Sequence, residues 1–303
     1  MSRPPTVRVR EVGPRDGLQV EAPATVEARV ALVEALVAAG VADIEAAAFV
    51  SPRAVPAMEG AAQVLAAVAR APGVRYWALV PNRRGAELAL LAGVDGLSVT
   101  VAASPGYSQR NVGMTVERSV EEAGAVCRLA GGTVPVDVVV SCAFGSPYEG
   151  DLAPAAVGEL GRRLLDGGAT SLTYADTTGM GTPRRVAELL EVTGVDVGLH
   201  LHETRGTGLV NAYAAWEAGV GRFDTSVGGL GGSPFASGAA GNLATEGLVH
   251  LLDDLGVSTG IDLDRLLGAA AVAASVVGHG LASPVAAAGP RLRPADGGDD
   301  ALV

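Results

Sequence analysis

Short apolar runs rich in valine and isoleucine alternate along the chain with longer runs rich in alanine and leucine. The short runs predict β-strands, and the longer runs, which carry charged residues at helical spacing, predict α-helices. Eight strands are predicted, at residues 7–12, 41–49, 75–80, 96–102, 135–142, 171–176, 195–202 and 222–229. The predicted helices lie at residues 25–39, 55–70, 83–92, 115–130, 152–167, 183–193, 207–218, 242–254 and 262–277.

This alternation predicts an α/β protein built from parallel βα units. Eight units in about 250 residues match the usual size of a (β/α)8, or TIM, barrel. An open, doubly wound sheet is the alternative, and it is disfavoured because the first βα turn, EVGPRDGLQ, lacks the glycine spacing of a dinucleotide site. We expect a single barrel domain over residues 1–286 that includes a short C-terminal helix, followed by a disordered tail over residues 287–303 that is rich in Pro, Gly and Asp.

Composition and charge narrow the class of protein. Of the 303 residues, 49% are hydrophobic and 18% charged, which is typical of a globular domain. The net charge of −11 argues against nucleic acids and anionic membranes as partners, because both select basic surfaces. The sequence suggests neither a membrane span nor a signal peptide, and Cys127 and Cys142 are the only cysteines. We therefore expect a cytoplasmic protein in a reducing compartment.

The basic residues also restrict the chemistry. All 22 of them are arginine, because the sequence contains no lysine. An enzyme that cleaves carbon–carbon bonds through a lysine Schiff base is therefore excluded. If this protein stabilises a carbanion or enolate, it needs a metal, an oxyanion site or a separate cofactor.

Polar residues follow several of the predicted strands directly. Arg15 and Asp16 follow the first strand, and Asp176 ends the sixth, while Glu45 lies within the second. The seventh strand contains LHLHETRG, with His200 and His202. Active sites of TIM barrels lie at the carboxyl ends of the strands, so we expect these side chains to converge there.

The two histidines raise the question of a metal. Side chains two apart on a strand point the same way, so His200 and His202 face the same side. Both can be packed core histidines, or they can share one ion with Asp16 and with the amide oxygen of Asn242. Two nitrogens with two or more oxygens suit Mg²⁺, Mn²⁺ or Zn²⁺.

Three other residues and one glycine-rich segment are also candidates for a role in the site. Arg15 can be a simple ion-pair partner of Asp16, or it can hold a substrate carbonyl or carboxylate oxygen. Glu45 lies in an apolar strand and needs a buried partner, for which Arg15 is the candidate. Asp176 can cap a helix or act as a general acid or base. The glycine-rich segment GGLGGSPFASGAAG can be a connector or a lid over the barrel mouth.

Seven motifs in chain order are familiar: VREVGPRDGLQ, IEAAAFVSP, VPN, SCAFGSPYEG, ADTTGMGTP, LHLHETRG and GGLGGSPFASGAAGNLATE. Together, over roughly residues 6–278, they resemble the 3-hydroxy-3-methylglutaryl-CoA lyase family of metal-dependent TIM-barrel lyases. The resemblance implies cleavage of a 3-hydroxyacyl-CoA to a keto acid and an acyl-CoA, and cleavage of 3-hydroxy-3-methylglutaryl-CoA to acetoacetate and acetyl-CoA is our leading hypothesis. It also implies a homodimer or higher homo-oligomer. By position, the motifs imply metal ligation by Asp16, His200, His202 and Asn242, substrate binding by Arg15 and Gln19, and catalytic roles for Arg15, Glu45, Asp176 and Glu246.

One position departs from the family pattern. The glycine loop of the family carries a catalytic cysteine in GLGGCP, where this sequence has Ser233. A thiol has a pKa of about 8.5, whereas an unactivated alcohol is a far weaker acid. Ser233 therefore leaves open a lyase or aldolase that acts on another hydroxyacyl thioester or hydroxy acid. Two further alternatives are a condensing acyltransferase of the isopropylmalate synthase type and an inactive binding protein.

Overall fold

Eight parallel strands form a closed barrel in which each strand pairs with the next and β8 pairs with β1. The computed structural model describes residues 3–232 and 241–291. The strands are β1 Arg8–Glu11, β2 Asp43–Ala48, β3 Arg75–Leu79, β4 Gly96–Ala102, β5 Val136–Ser141, β6 Ser171–Ala175, β7 Gly198–His200 and β8 Arg222–Thr225. The fold is the predicted (β/α)8 barrel.

Helices surround the barrel. They are α1 Val26–Ala38, α2 Ala61–Ala67, α3 Arg83–Leu91, α4 Pro105–Val112, α5 Val116–Ala130, α6 Pro154–Asp166, α7 Pro183–Thr193, α8 Gly208–Ala218, α9 Thr245–Asp254, α10 Leu263–Val277 and α11 Pro284–Ala288. Among the described residues, none of these helices is both long and apolar enough to cross a membrane.

Several elements differ from the sequence prediction. The predicted helix 55–70 is divided into a 3₁₀ turn, Pro56–Met58, and α2, because Gly60 between them has a left-handed backbone with φ of 79°. Two short helices, α4 and α11, were not predicted. Each begins after a serine whose side chain accepts a backbone N–H and has proline at its first position, a combination that starts a helix even where the apolar period is too short to show it. Helix α11 crosses the predicted boundary at residue 286, and residues 292–303 lie outside the described part of the chain.

The apolar core lies between the strands and the surrounding helices, and the barrel interior is largely charged. Arg10 on β1 forms ion pairs with Asp224 on β8, at 2.7 Å, and with Asp137 on β5, at 2.9 Å. Strands β1 and β5 are on opposite sides of the barrel, so the second pair crosses its interior. Asp43 on β2 accepts hydrogen bonds from Arg75 and from the indole of Trp77, each at 2.8 Å. Each of these buried carboxylates therefore has a cationic partner, as burial of a charge requires.

Candidate active site

The first βα turn presents Arg15 and Asp16 at the carboxyl end of the barrel. Residues Gly13–Gly17 form a π-helical turn in which the carbonyl of Val12 accepts the amides of Arg15, Asp16 and Gly17 at 3.1, 2.6 and 3.2 Å. A Cβ atom on Gly13 would lie 2.7 Å from a carboxylate oxygen of Glu11, so a larger residue there would displace that side chain. The local sequence VGPRDG thus directs both functional side chains out of the strand end.

Glu11, a residue that the sequence analysis missed, fastens this turn to the far end of the chain. Its Oε1 accepts the amides of Gly13 at 2.7 Å and Val227 at 2.9 Å, and its Oε2 accepts the hydroxyl of Thr245 at 2.5 Å. Burial raises the pKa of Glu11 to about 8, although these hydrogen bonds oppose the shift. The side chain therefore ties the β1 turn to the turn after β8.

Arg15 lies between two carboxylates. Its Nε donates to Glu45 on β2, as the sequence suggested, and its Nη1 donates to Asp16 at 2.5 Å. Gln19 donates to the same oxygen of Asp16 at 2.8 Å. Arg15 is 7% exposed, so its guanidinium is held against the barrel mouth and not in bulk water.

Asp16, His200 and His202 form a buried cluster. One ligand atom from each lies within 4.8 Å of the other two, and the Nε2 atoms of the two histidines are 3.1 Å apart. The prediction that both histidines lie on one strand was wrong, because β7 ends at His200. His202 instead forms an isolated antiparallel bridge with Asn242, so its position depends on the segment that follows β8.

The protonation of the cluster suits a cation. Burial and the neighbouring charge of His200 lower the pKa of His202 to about 3, so this ring is neutral at physiological pH. Burial alone would raise the pKa of Asp16, but the charges of Arg15 and His200 outweigh it, and the pKa is lowered. Burial would likewise lower the pKa of His200, but its hydrogen bond with Asp224 and the charge of Asp16 raise it. The cluster thus offers an ionised carboxylate beside a neutral imidazole.

Asn242 supplies the test of whether a metal fits. Its amide nitrogen donates to Asp16 at 2.7 Å and to the carbonyl of Leu230 at 2.9 Å, so both N–H groups are used. Among the described residues, its Oδ1 and the Nδ1 of His202 are buried without a hydrogen-bond partner. A buried, unpaired amide oxygen beside a carboxylate and two imidazoles fits a borderline or hard divalent cation.

Asp176 is buried at the end of β6, next to the histidine strand. Its Oδ1 accepts the amides of Met180 at 2.7 Å and Gly181 at 2.9 Å, while Oδ2 is buried without a partner among the described residues. The residue does not cap α7, because Thr182 does. Burial raises the pKa of Asp176 to about 7, which places its ionisation where a general acid or base works best.

The remaining predicted residues are placed less directly. Both carboxylate oxygens of Glu246 accept the amide of Gly228, at 2.8 and 3.1 Å, and the side chain is fully buried. This contact holds the turn from which the glycine-rich segment begins. Ser233 lies outside the described residues. Arg10 and Asp224 were missed, although a charged residue in the middle of a short apolar strand was the signal for them.

The fold and the cluster together define a (β/α)8 barrel with a candidate cation site at the carboxyl ends of its strands. The sequence model of the HMGL-like family matches residues 6–273. The chain belongs to this family, whose lyases depend on a divalent metal.

Known relatives agree with this assignment and cover most of the chain. Hydroxymethylglutaryl-CoA lyase of Pseudomonas mevalonii is 44% identical, over 86% of this chain and 89% of its own length. (R)-Citramalyl-CoA lyase of Chloroflexus aurantiacus is 42% identical, over 94% of this chain and 95% of its own. A solved structure of an HMG-CoA lyase from Acinetobacter baumannii, in complex with coenzyme A and 3-methylmalate, superimposes with a TM-score of 0.91 at 36% identity, covering 97% of this chain and 99% of that one. The chain is accordingly a carbon–carbon lyase.

Proposed function

We propose that this protein cleaves 3-hydroxy-3-methylglutaryl-CoA to acetoacetate and acetyl-CoA, with a divalent cation held by Asp16, His200, His202 and Asn242. The observation that carries the proposal is the cation-ready cluster beside the Arg15–Glu45 ion pair, in a chain of this family. Mg²⁺ or Mn²⁺ is the expected ion and Zn²⁺ the alternative, because the donor set mixes imidazole nitrogens with hard oxygens. At this position a divalent cation supplies a Lewis acid for substrate oxygens.

The side chains account for the movement of electrons and protons. Asp176 accepts the proton of the substrate 3-hydroxyl, the C2–C3 bond breaks, and the new keto group retains the oxygen. The electron pair of that bond remains on C2 as a thioester enolate, whose oxygen accepts hydrogen bonds from Arg15. A proton then reaches C2 and yields the acetyl thioester. Glu45 holds the guanidinium, and Gln19 positions Asp16 and contacts the substrate.

The last step requires a group that donates a proton to C2. The family pattern places a cysteine where this sequence has Ser233. A serine hydroxyl is a poor acid at neutral pH, so Ser233 relays a proton from water, or another acid replaces it. In this proposal the role of Glu246 is indirect, because its carboxylate holds the turn at Gly228.

A second substrate is supported by a specific observation. The citramalyl-CoA lyase of Chloroflexus aurantiacus is almost as similar to this chain, at 42% identity, as the hydroxymethylglutaryl-CoA lyase of Pseudomonas mevalonii, at 44%. Citramalyl-CoA would undergo the same bond cleavage and release pyruvate in place of acetoacetate. Because both substrates are 3-hydroxyacyl thioesters, the cluster serves either, and residues that contact the 3-substituent decide between them.

A turnover assay tests the proposal. Purified protein with Mg²⁺ or Mn²⁺ is given each of the two thioesters, and acetoacetate or pyruvate is followed by mass spectrometry. Acetoacetate that requires metal and is lost in His200→Ala supports the proposal, and pyruvate alone assigns the second substrate. If folded protein that binds Mn²⁺ forms neither acetoacetate nor pyruvate, the proposal is contradicted.

Homo-oligomerisation, a cytoplasmic location and the division at residue 286 remain predictions.

A further inference from the structure

The two ring nitrogens of His200 face different partners. Its Nε2 points into the candidate metal cluster, 3.1 Å from Nε2 of His202 and 3.9 Å from a carboxylate oxygen of Asp16. Its Nδ1 faces away from the cluster and lies 3.3 Å from Oδ2 of Asp224 on β8. The two sides of this imidazole are therefore chemically distinct.

Asp224 is held in place by an arginine fork. Arg10 donates from Nε to Oδ1 at 2.9 Å and from Nη2 to Oδ2 at 2.7 Å. The guanidinium is itself fixed, by Asp137 at 2.9 Å from Nη2 and by Ser98 at 3.3 Å from Nη1. Arg10 is 6% exposed and Asp224 3%, so water does not compete for these contacts.

The barrel register produces this alignment. His200 on β7 pairs with Asp224 on β8, and Asp224 pairs with Arg10 on β1. The three residues occupy one level of three adjacent strands, and their side chains meet inside the barrel. The chain from histidine to carboxylate to guanidinium therefore depends on backbone pairing and not on a flexible loop.

The contact decides which nitrogen of His200 carries a proton. A carboxylate that accepts two N–H groups from an arginine offers only acceptor atoms to its other neighbour. Nδ1 of His200 must then donate, which leaves the lone pair on Nε2 facing the cluster. A neutral imidazole binds a metal through the nitrogen that carries the lone pair, and a hydrogen bond on the other nitrogen fixes that choice.

We propose that Asp224, clamped by Arg10, is a positioning residue that sets the tautomer and ring orientation of His200 for cation binding through Nε2. The inference rests on the metal site of the proposed function and adds to it a residue beyond the ligand set. The nearest cluster contact of Asp224 is His200 itself, so Asp224 acts through that ring and not on the substrate.

Asp224→Asn is the variant that tests this inference. The amide has one acceptor atom, so it cannot accept from both arms of the Arg10 fork and from His200 together. Asp137→Asn is the matched control, because it removes a carboxylate from the same guanidinium without touching His200. Mn²⁺ binding, measured by electron paramagnetic resonance without substrate, is expected to weaken about 10- to 100-fold in Asp224→Asn. The control should remain within about threefold of the parent affinity, since it leaves the His200 contact in place.

A second measurement needs neither metal nor turnover. Nitrogen-15 spectra of the histidine rings in the metal-free protein, recorded at a pH above the raised pKa of His200 so that this ring is neutral, report which nitrogen is protonated. His200→Gln identifies the signals among the four histidines. The inference predicts a proton on Nδ1 of His200 in the parent protein. It also predicts the loss of that single tautomer in Asp224→Asn and its retention in Asp137→Asn.

The possible results distinguish a failure of this inference from a failure of the proposed reaction. A neutral His200 ring with its proton on Nε2 in the parent protein overturns the inference, even if Asp224→Asn fails to fold. Equal Mn²⁺ affinities for the parent and Asp224→Asn, or equal losses in both variants, also overturn it. If the parent has the expected tautomer and binds Mn²⁺ but cleaves neither thioester, the inference stands and only the proposed reaction fails.

Discussion

Glu11 gives the most quantitative prediction. It is buried in the described structure with its carboxylate between two backbone amides and the hydroxyl of Thr245. Burial raises its pKa from 4.5 to about 8, so the folded protein keeps at neutral pH a proton that the unfolded chain has lost. The stability associated with this proton is complete below pH 4.5, decreases as the pH rises, and is lost above about pH 8.

The size of the effect follows from linkage. One pKa unit corresponds to about 1.4 kcal/mol, so a shift of roughly 3.5 units amounts to about 5 kcal/mol in the free energy of unfolding. Between pH 5 and pH 9 about 4 kcal/mol of that total is lost. This change is a large fraction of the free energy of unfolding of natural proteins, which is roughly 5–15 kcal/mol.

Glu11→Gln removes the titration and keeps the contacts. The amide oxygen can accept from Gly13 and Val227, and the amide nitrogen can donate to Thr245. Urea unfolding, followed by circular dichroism between pH 5 and pH 9, gives the free energy of unfolding of both proteins. We expect similar values at pH 5 and a relative gain for the variant of about 4 kcal/mol by pH 9.

The difference between the two proteins is the informative quantity, because titrations that are independent of Glu11 cancel in it. Glu117→Gln, at an exposed position in the first turn of α5, controls for the change in net charge. If the difference between Glu11→Gln and the parent is constant across this pH range, the assignment of a retained proton to Glu11 is refuted. A progressive loss of stability in the variant relative to the parent as the pH rises would refute the sign.

Three further predictions concern the reaction. Asp176→Asn should lower kcat/KM about 10²- to 10⁴-fold. In the parent protein kcat/KM should rise with pH and level off above the pKa of Asp176, which is about 7, and this rise should disappear in the variant. An unchanged pH profile would show that Asp176 is not the base. Arg15→Lys should keep Mn²⁺ binding but lower kcat about 10- to 100-fold, because the lysine ammonium cannot contact Glu45 and an enolate oxygen together as the planar guanidinium does. Equal losses of Mn²⁺ affinity and of kcat would indicate a structural role for Arg15. Ser233→Cys should raise turnover of 3-hydroxy-3-methylglutaryl-CoA, because a thiol is a better proton donor than a serine hydroxyl. An unchanged steady-state rate would show that the serine does not limit the reaction.

The barrel was predictable because its signal is repeated eight times. Alternating apolar runs remain visible even when single boundaries are misplaced, and β7 and β8 were predicted too long because apolar residues continue past the last barrel pairing. His202 shows why the end of β7 was misplaced. An extended segment beyond the end of a strand has the same alternation of residue types as the strand itself. The true partner of His202, Asn242, is 40 positions away and is brought to it only by the turn after β8.

The candidate ligands were predictable for a different reason. Asp16 and His200 combine unusual residue types with strand ends, and the family motifs contain them. Arg10 and Asp224 were not identified, because one charged residue in a short strand is also what a half-exposed strand shows. Only closure of the barrel reveals that both point inward. The role of Ser233 depends on residues outside the described structure and stays a prediction.

The ion pair between Arg10 and Asp224 joins the first and last strands of the barrel, 214 positions apart in the chain. Contacts of such separation have a higher loop-closure cost than contacts between neighbouring segments. Because Asp224 also contacts His200, the pairing of β8 with β1 and β7 that closes the barrel also brings this carboxylate to the imidazole proposed to bind the metal. A nascent chain that has not yet added β8 has the histidine but not the carboxylate that orients it. The proposed orientation of His200 by Asp224 therefore requires a chain that already includes β8.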